Sequence, residues 1–180
     1  MQFNLLTLLG SAALVAANTV TFQSLDDVAR TVYFTANAGL PPVEPVYVPA
    51  GSNVTVHIPF AWIGNFHPVS DGSENVTGII GEVAFNGWNS LTYFDVSAII
   101  NALDHNGIQT IFPSLVQEPV SGCHVWPCNN AYYLPDDVQT KVTSETDLIC
   151  TLGNNGVTSR RDVDDHHESP SYKHDFVLGK

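Results

Sequence analysis

Two carboxylates, Glu82 and Asp95, stand at equal distances from a turn within residues 81–113. Each falls on the polar parity of an otherwise apolar strand. In 79–86, Val83 and Phe85 share one face while Glu82 and Ala84 share the other. In 91–96, Phe94 and Val96 share a face, and Tyr93 and Asp95 take the opposite one. Carboxylates that face each other across a hairpin repel, and the charge of one raises the pKa of the other. Such a pair offers hydroxyl acceptors to a sugar, or a general acid to a glycosidase.

Between the two strands lies Asn86-Gly87-Trp88-Asn89, whose Asn-Gly is a strong hairpin signal. A four-residue loop at 87–90 pairs Asn86 with Leu91 and sets Glu82 directly opposite Asp95. A two-residue turn at Asn86-Gly87 sets Glu82 opposite Leu91 instead. Both registers keep the carboxylates on one face. Tyr93, beside Asp95, supplies an aromatic platform for a sugar ring, and Trp88 at the turn supplies a second. Glu82, Asp95, Tyr93 and Trp88 are therefore the candidate carbohydrate-binding residues. No residue is assigned a catalytic role. A retaining glycosidase needs carboxyl groups about 5–5.5 Å apart, so cross-strand neighbours leave a weak endo-β-1,3-glucanase as an alternative.

The elements that must position these residues read as strands. Segments 19–23, 31–35, 46–48, 53–58, 79–85 and 91–96 alternate, or run apolar with β-branched and aromatic residues. Gly39-Leu40-Pro41-Pro42, Pro49-Ala50-Gly51 and Ser70-Asp71-Gly72-Ser73 separate them. Many short strands so punctuated predict an all-β sandwich. Residues 96–103 and 135–142 fit a short helix equally well. Residues 113–133, rich in Pro, Gly, Cys and Asn, predict a loop-rich extension.

The 180 residues divide into three parts. Residues 1–17 read as a secretory signal peptide, with a mostly apolar run closed by Val15-Ala16-Ala17. Residues 18–153 form the sandwich domain. Residues 154–180 carry Arg160-Arg161 and an Asp/His run with little that can pack, which predicts a disordered tail. Arg160 and Arg161 mark a site for a dibasic processing protease. The chain should be secreted, to the extracellular space or the cell wall, and no segment is apolar and long enough to span a bilayer. Secretion makes Asn53-Val54-Thr55 and Asn75-Val76-Thr77 N-glycosylation acceptors. It also favours one disulfide among Cys123, Cys128 and Cys150. Cys123–Cys128 would staple a local loop, whereas a bridge to Cys150 would tie that loop to a strand.

Six basic residues against 18 acidic ones give a formal net charge of −12 at pH 7. A surface of this sign repels phosphate backbones, so nucleic acid and anionic membrane are not expected partners. A nuclease is excluded on the same ground. His57, His67, His105 and His124 are scattered singly, and His67-Pro68 reads as a turn. Asp104-His105-Asn106-Gly107 has too few ligands for a calcium loop. His166, His167 and His174 read as a solvated tail. No metal or cofactor is expected.

The Glu82-Val83-Ala84-Phe85 strand, the Asn86-Gly87-Trp88-Asn89 turn and Tyr93-Phe94-Asp95-Val96-Ser97 together resemble the thaumatin-like family. The match is specific over 81–113 and looser over 18–66, where Thr-Val-Thr-Phe and Pro49-Ala50-Gly51 leading into Val54-Thr55-Val56 look similar. The chain is most like the small secreted fungal members, relatives of which sometimes carry a deoxyribonuclease label. The resemblance implies a thaumatin-like β-sandwich at the cell wall or spore surface, with β-1,3-glucan binding and a part in spore germination, host interaction and virulence. It aligns Glu82 and Asp95 with two members of the family's acidic cleft. Two others are absent: residues 62–67 hold no arginine, and Ile100 stands where a further aspartate belongs. These departures favour binding over hydrolysis. The expected partner is cell-wall β-glucan or a surface glycoprotein. An adhesin or invasin-like role toward a host-cell receptor is the competing reading.

Overall fold

A computed structural model describes residues 18–153. The signal-peptide reading of 1–17, the tail reading of 154–180, and Arg160, Arg161, His166, His167 and His174 lie outside the described residues.

Strict alternation builds the first strand. In β1 (Asn18–Ser24) every second residue is buried, so Val20 and Phe22 point inward while Thr19 and Thr21 point outward. The outward residues bond across the sheet, Thr21 Oγ1 to Thr55 Oγ1 at 2.8 Å and Thr19 Oγ1 to Asp147 Oδ1 at 2.6 Å. Ten further strands follow: β2 (Arg30–Ala36), β3 (Val46–Val48), β4 (Asn53–Ile58), β5 (Ile63–Ser70), β6 (Ile80–Ala84), β7 (Thr92–Ser97), β8 (Ile108–Pro113), β9 (Ser121–Gly122), β10 (Lys141–Thr143) and β11 (Asp147–Leu152). They form a five-stranded sheet, ordered β4-β1-β11-β8-β9, and a six-stranded sheet, ordered β10-β7-β6-β5-β2-β3. The chain is an all-β sandwich. Pairing of β1 with β11 is parallel, bringing Phe22 beside Cys150, and the remaining ladders are antiparallel.

The core lies between the sheets. Phe22 from one sheet meets Phe66 from the other edge-to-face, with centroids 5.2 Å apart, and Phe34 and Trp62 extend the aromatic cluster. Such pairs add about 0.5–1.5 kcal/mol each beyond their buried area. Trp62 is fully buried and donates its indole N–H to Pro41 O at 3.0 Å. Gly81 leaves room in the core, since a methyl group there would strike Phe66 and Ile111.

Three expectations are corrected. Residues 96–103 and 135–142 form no helix: β7 runs to Ser97, bends follow, and β10 begins at Lys141. His67-Pro68 is not a turn but the middle of β5. The β5–β6 ladder ends at Phe66↔Gly81, so Pro68 pairs with β2 alone and its missing N–H takes no bond from the β6 ladder. His67 is also not isolated: it stacks on Tyr33 with centroids 5.7 Å apart, and its Nε2 lies 3.1 Å from Asn75 Oδ1.

One buried ion pair ties the strand ends together. Arg30 makes a fork to both oxygens of Asp26 at 2.7 Å, and also donates to Val28 O and Asn106 O. Both side chains are almost wholly buried. Removing one partner of such a pair leaves an uncompensated charge, at about 3–5 kcal/mol. Asp26→Ala should therefore lower unfolding stability by about that amount in urea denaturation; a change below 1 kcal/mol would mean that the fork is not a fastening.

Candidate functional site

The Asn86–Leu91 turn sets the site. Gly87 N donates to Leu91 O at 2.8 Å, and within the loop Ser90 N donates to Gly87 O and Leu91 N to Trp88 O, across a kink at Asn89. Asn86 and Asn89 hold φ of 51° and 55°, the left-handed region that asparagine tolerates. The resulting register is that of the four-residue loop, with Ala84 opposite Tyr93 and Glu82 opposite Asp95.

The ladders extend this row. Asn65 of β5 pairs with Glu82, and Thr35 of β2 pairs with Asn65. Because side chains alternate, Asn65, Glu82 and Asp95 share the outer face of the six-stranded sheet, with Ala84 and Tyr93 in the neighbouring row. Between them opens a cleft of about 240 Å³, lined by Asn37, Asn65, Glu82, Tyr93, Asp95 and Thr140 among others. The inner-face partners Val83 and Phe94 are buried in the core, which fixes both carboxylates in place.

Asp95 is only 8% exposed. Its Oδ2 accepts from Thr140 Oγ1 at 3.2 Å. Thr140 Oγ1 is itself 2.8 Å from the Tyr132 hydroxyl, which receives the Thr140 N–H at 3.3 Å. Tyr132 is held in turn by main-chain bonds along β7, to Val96 O and from Ala98 N. The other oxygen, Asp95 Oδ1, is buried with no donor. Burial, then the charge of Glu82, pushes the Asp95 carboxyl from 3.8 up to about 7; the Thr140 bond and the charge of Lys141 pull weakly the other way. Glu82, directly opposite in the ladder, thus favours the protonated form of Asp95. Lys141 does not close the pair: its Nζ donates to Gln139 Oε1 at 3.4 Å.

Glu82, Asp95 and Tyr93 thus meet in one cleft. Trp88 does not line it: the ring is 76% exposed on the turn, and its carbonyl accepts from the Tyr93 hydroxyl at 3.3 Å. Asn37, Asn65 and Thr140 were not expected. Asn65 could have been found from the alternation of Ile63, Asn65 and His67 on one parity, whereas Asn37 and Thr140 lie in irregular segments. Ile100 is exposed, and Asp104 is committed elsewhere, accepting from Ile79 N and Asn106 N. Among the described residues no group of three or more His, Cys, Asp or Glu could hold a metal ion.

The remaining candidates are placed as follows. Asn53 opens the edge strand β4 and Asn75 sits in the loop after β5, both exposed. Cys123 and Cys128 form the disulfide, with Cα atoms 5.7 Å apart. Cys150 is a buried free thiol, its pKa raised by desolvation.

The raised Asp95 pKa has a stability consequence. Folded Asp95 keeps its proton up to about pH 7, while the unfolded chain releases it near 3.8. Between these values the folded state binds more protons, so this stabilisation is full below 3.8 and lost as pH rises through 7. Asp95→Asn should be nearly neutral at pH 4 and about 2–4 kcal/mol more stable than wild type at pH 8, by urea denaturation. The same difference at both pH values would contradict the shift.

No family model matches the chain. The chain is 52% identical over 134 residues to the antigenic protein SchS21 of Stachybotrys chartarum, a match spanning 74% of this chain and 93% of that protein. Its fold is similar to the crystal structure of the protein elicitor MoHrip2 from Magnaporthe oryzae, with a TM-score of 0.55, 14% identity, and coverage of 76% of this chain and 99% of that one. At that identity the second likeness speaks to fold alone. The chain belongs to the family of the antigenic protein SchS21.

Proposed function

We propose that this protein is secreted and binds carbohydrate of the fungal cell wall or spore surface through the Glu82–Asp95 cleft, without catalysis. The observation carrying this reading is a nearly buried carboxyl, Asp95, with one oxygen lacking a donor, in a cleft shared with Glu82 and Tyr93. An acceptor without a donor is unfavourable unless a ligand supplies one. Sugar hydroxyls supply donors, and their apolar ring faces suit the Tyr93 ring. Asn37, Asn65 and Thr140 add amide and hydroxyl partners around the same opening. The thaumatin-like resemblance of residues 81–113 nominates β-1,3-glucan as the polymer.

Hydrolysis fits less well. Residues 62–67 supply no arginine, and neither Ile100 nor Asp104 lines the cleft beside Glu82 and Asp95. The endo-β-1,3-glucanase alternative therefore ranks below binding.

A host-facing role is the second reading, as a surface protein that contacts a host receptor or glycoprotein. The relative described as antigenic favours it and suits an extracellular location. The disulfide between Cys123 and Cys128 and the exposed sequons at Asn53 and Asn75 agree with passage through a secretory route.

Retention on insoluble β-1,3-glucan separates the readings. Wild type should be retained, and Glu82→Gln/Asp95→Asn should lose at least tenfold. Equal retention would remove the cleft from the account, and no retention of either would favour the host-receptor reading.

A further inference from the structure

We infer that the cleft selects an amine-bearing sugar, a glucosamine unit of a polymer chain, over the neutral or N-acetylated sugar. The inference rests on the carbohydrate reading above and names the ligand class. Glu82 and Asp95 stand directly opposite in the ladder, and among the described residues no salt bridge reaches either. Lys141, whose charge reaches Asp95 only weakly, donates from its Nζ to Gln139 and forms no salt bridge with the pair. Asp95 Oδ1 is buried without a donor, in a cleft that is open to a ligand.

A neutral hydroxyl can donate to that oxygen but does not offset the repulsion that appears once Asp95 ionises. An ammonium group donates three hydrogens and carries the opposite charge, so it satisfies the oxygen and removes the repulsion together. In doing so it favours the ionised form of Asp95, whose proton passes to solvent. The long-range field points the same way, because a formal charge of −12 raises the local concentration of cations.

The surroundings choose between cationic ligands. A lysine side chain would present only methylenes to Asn37, Asn65 and Thr140, leaving their amides and hydroxyl to water. An amino sugar presents hydroxyls to all three while its ring face lies on Tyr93. The cleft, at about 240 Å³, is smaller than the roughly 300–1,000 Å³ that encloses a drug-sized ligand, and suits one sugar ring of a chain.

The groups that face Asp95 set the pH behaviour. They are Glu82 on β6, Tyr93 on its own strand, Thr140 with Tyr132 behind it, and Lys141 on β10. Binding of an ammonium at pH 6 should therefore release the proton of Asp95, which gives a readout separate from affinity.

The test is calorimetric titration with four soluble probes: a glucosamine tetramer, an N-acetylglucosamine tetramer, a β-1,3-linked glucose tetramer and tetralysine. Wild type should bind the glucosamine tetramer at least tenfold more tightly than the other three, with proton release at pH 6 seen as a buffer-dependent heat. Glu82→Gln/Asp95→Asn should lose at least tenfold and release no proton. Asp71→Asn/Glu74→Gln removes the same charge from an exposed loop and should lose no more than threefold. If the buried substitution unfolds the double variant, Glu82→Gln alone should still lose affinity and proton release. Equal losses in the dyad and loop variants would reduce the effect to the general acidic field and overturn the inference. Tighter binding of the neutral glucose tetramer or the N-acetylated tetramer would also overturn it while sparing the carbohydrate reading. Preference for tetralysine would point to a basic peptide, and binding of none would end both readings.

Discussion

The register between β6 and β7 is the constraint on which the site depends. Side chains alternate across a strand, so a slip of one residue would carry Val83 and Phe94 to the surface and both carboxylates into the core. Burial of Val83, Phe94 and Val96 therefore holds Glu82 and Asp95 outward as firmly as it holds the sandwich together. The Asn86–Leu91 turn fixes the same register from the other end, because Asn86 and Asn89 accept the left-handed backbone it needs. Two independent devices, core packing and turn geometry, thus agree on one alignment.

That alignment is unfavourable for the carboxylates themselves. Asp95 is desolvated and stands against a like charge, and the Thr140 bond offsets only part of this. The strain is local. It falls on the outer face of a sheet whose inner face carries the Phe22, Phe34, Phe66 and Trp62 cluster, and whose strand ends are fastened by the Arg30–Asp26 fork. A fold secured in this way can tolerate a carboxyl pair that favours the protonated form, and such perturbed groups in a cleft are where ligand sites concentrate. The position of the cleft beside Tyr93, Asn37 and Asn65 makes recognition of a polyhydroxylic ligand a better fit than bond cleavage.

Much of this was legible in the residues. Strands 46–48 and 53–58 were read with their observed bounds, and the alternation of 79–86 and 91–96 put both carboxylates on one face. Other elements were hidden for physical reasons. β5 contains a proline that is harmless only because the β6 ladder stops short of it, a fact of pairing rather than of composition. β8 carries Gln109 and Thr110 buried on both faces, so its hydrophobic pattern does not alternate. Thr110 meets Thr151 through hydroxyls 2.7 Å apart, a partner that only the folded chain supplies. Trp88 looked like a sugar platform because it neighbours the carboxylates in sequence, but the turn carries it off the cleft. Thr140 lies 45 residues from Asp95, and no local signal links them.

The claim that burial and Glu82 hold the proton on Asp95 can be read directly from the Asp95 side-chain carboxyl carbon by NMR titration. In wild type its resonance should move with a midpoint near pH 7, and in Glu82→Gln the midpoint should fall toward the ordinary carboxylate range without reaching it, since burial remains. A wild-type midpoint near 4, unchanged by Glu82→Gln, would show two independent solvated acids and would contradict the account of the cleft.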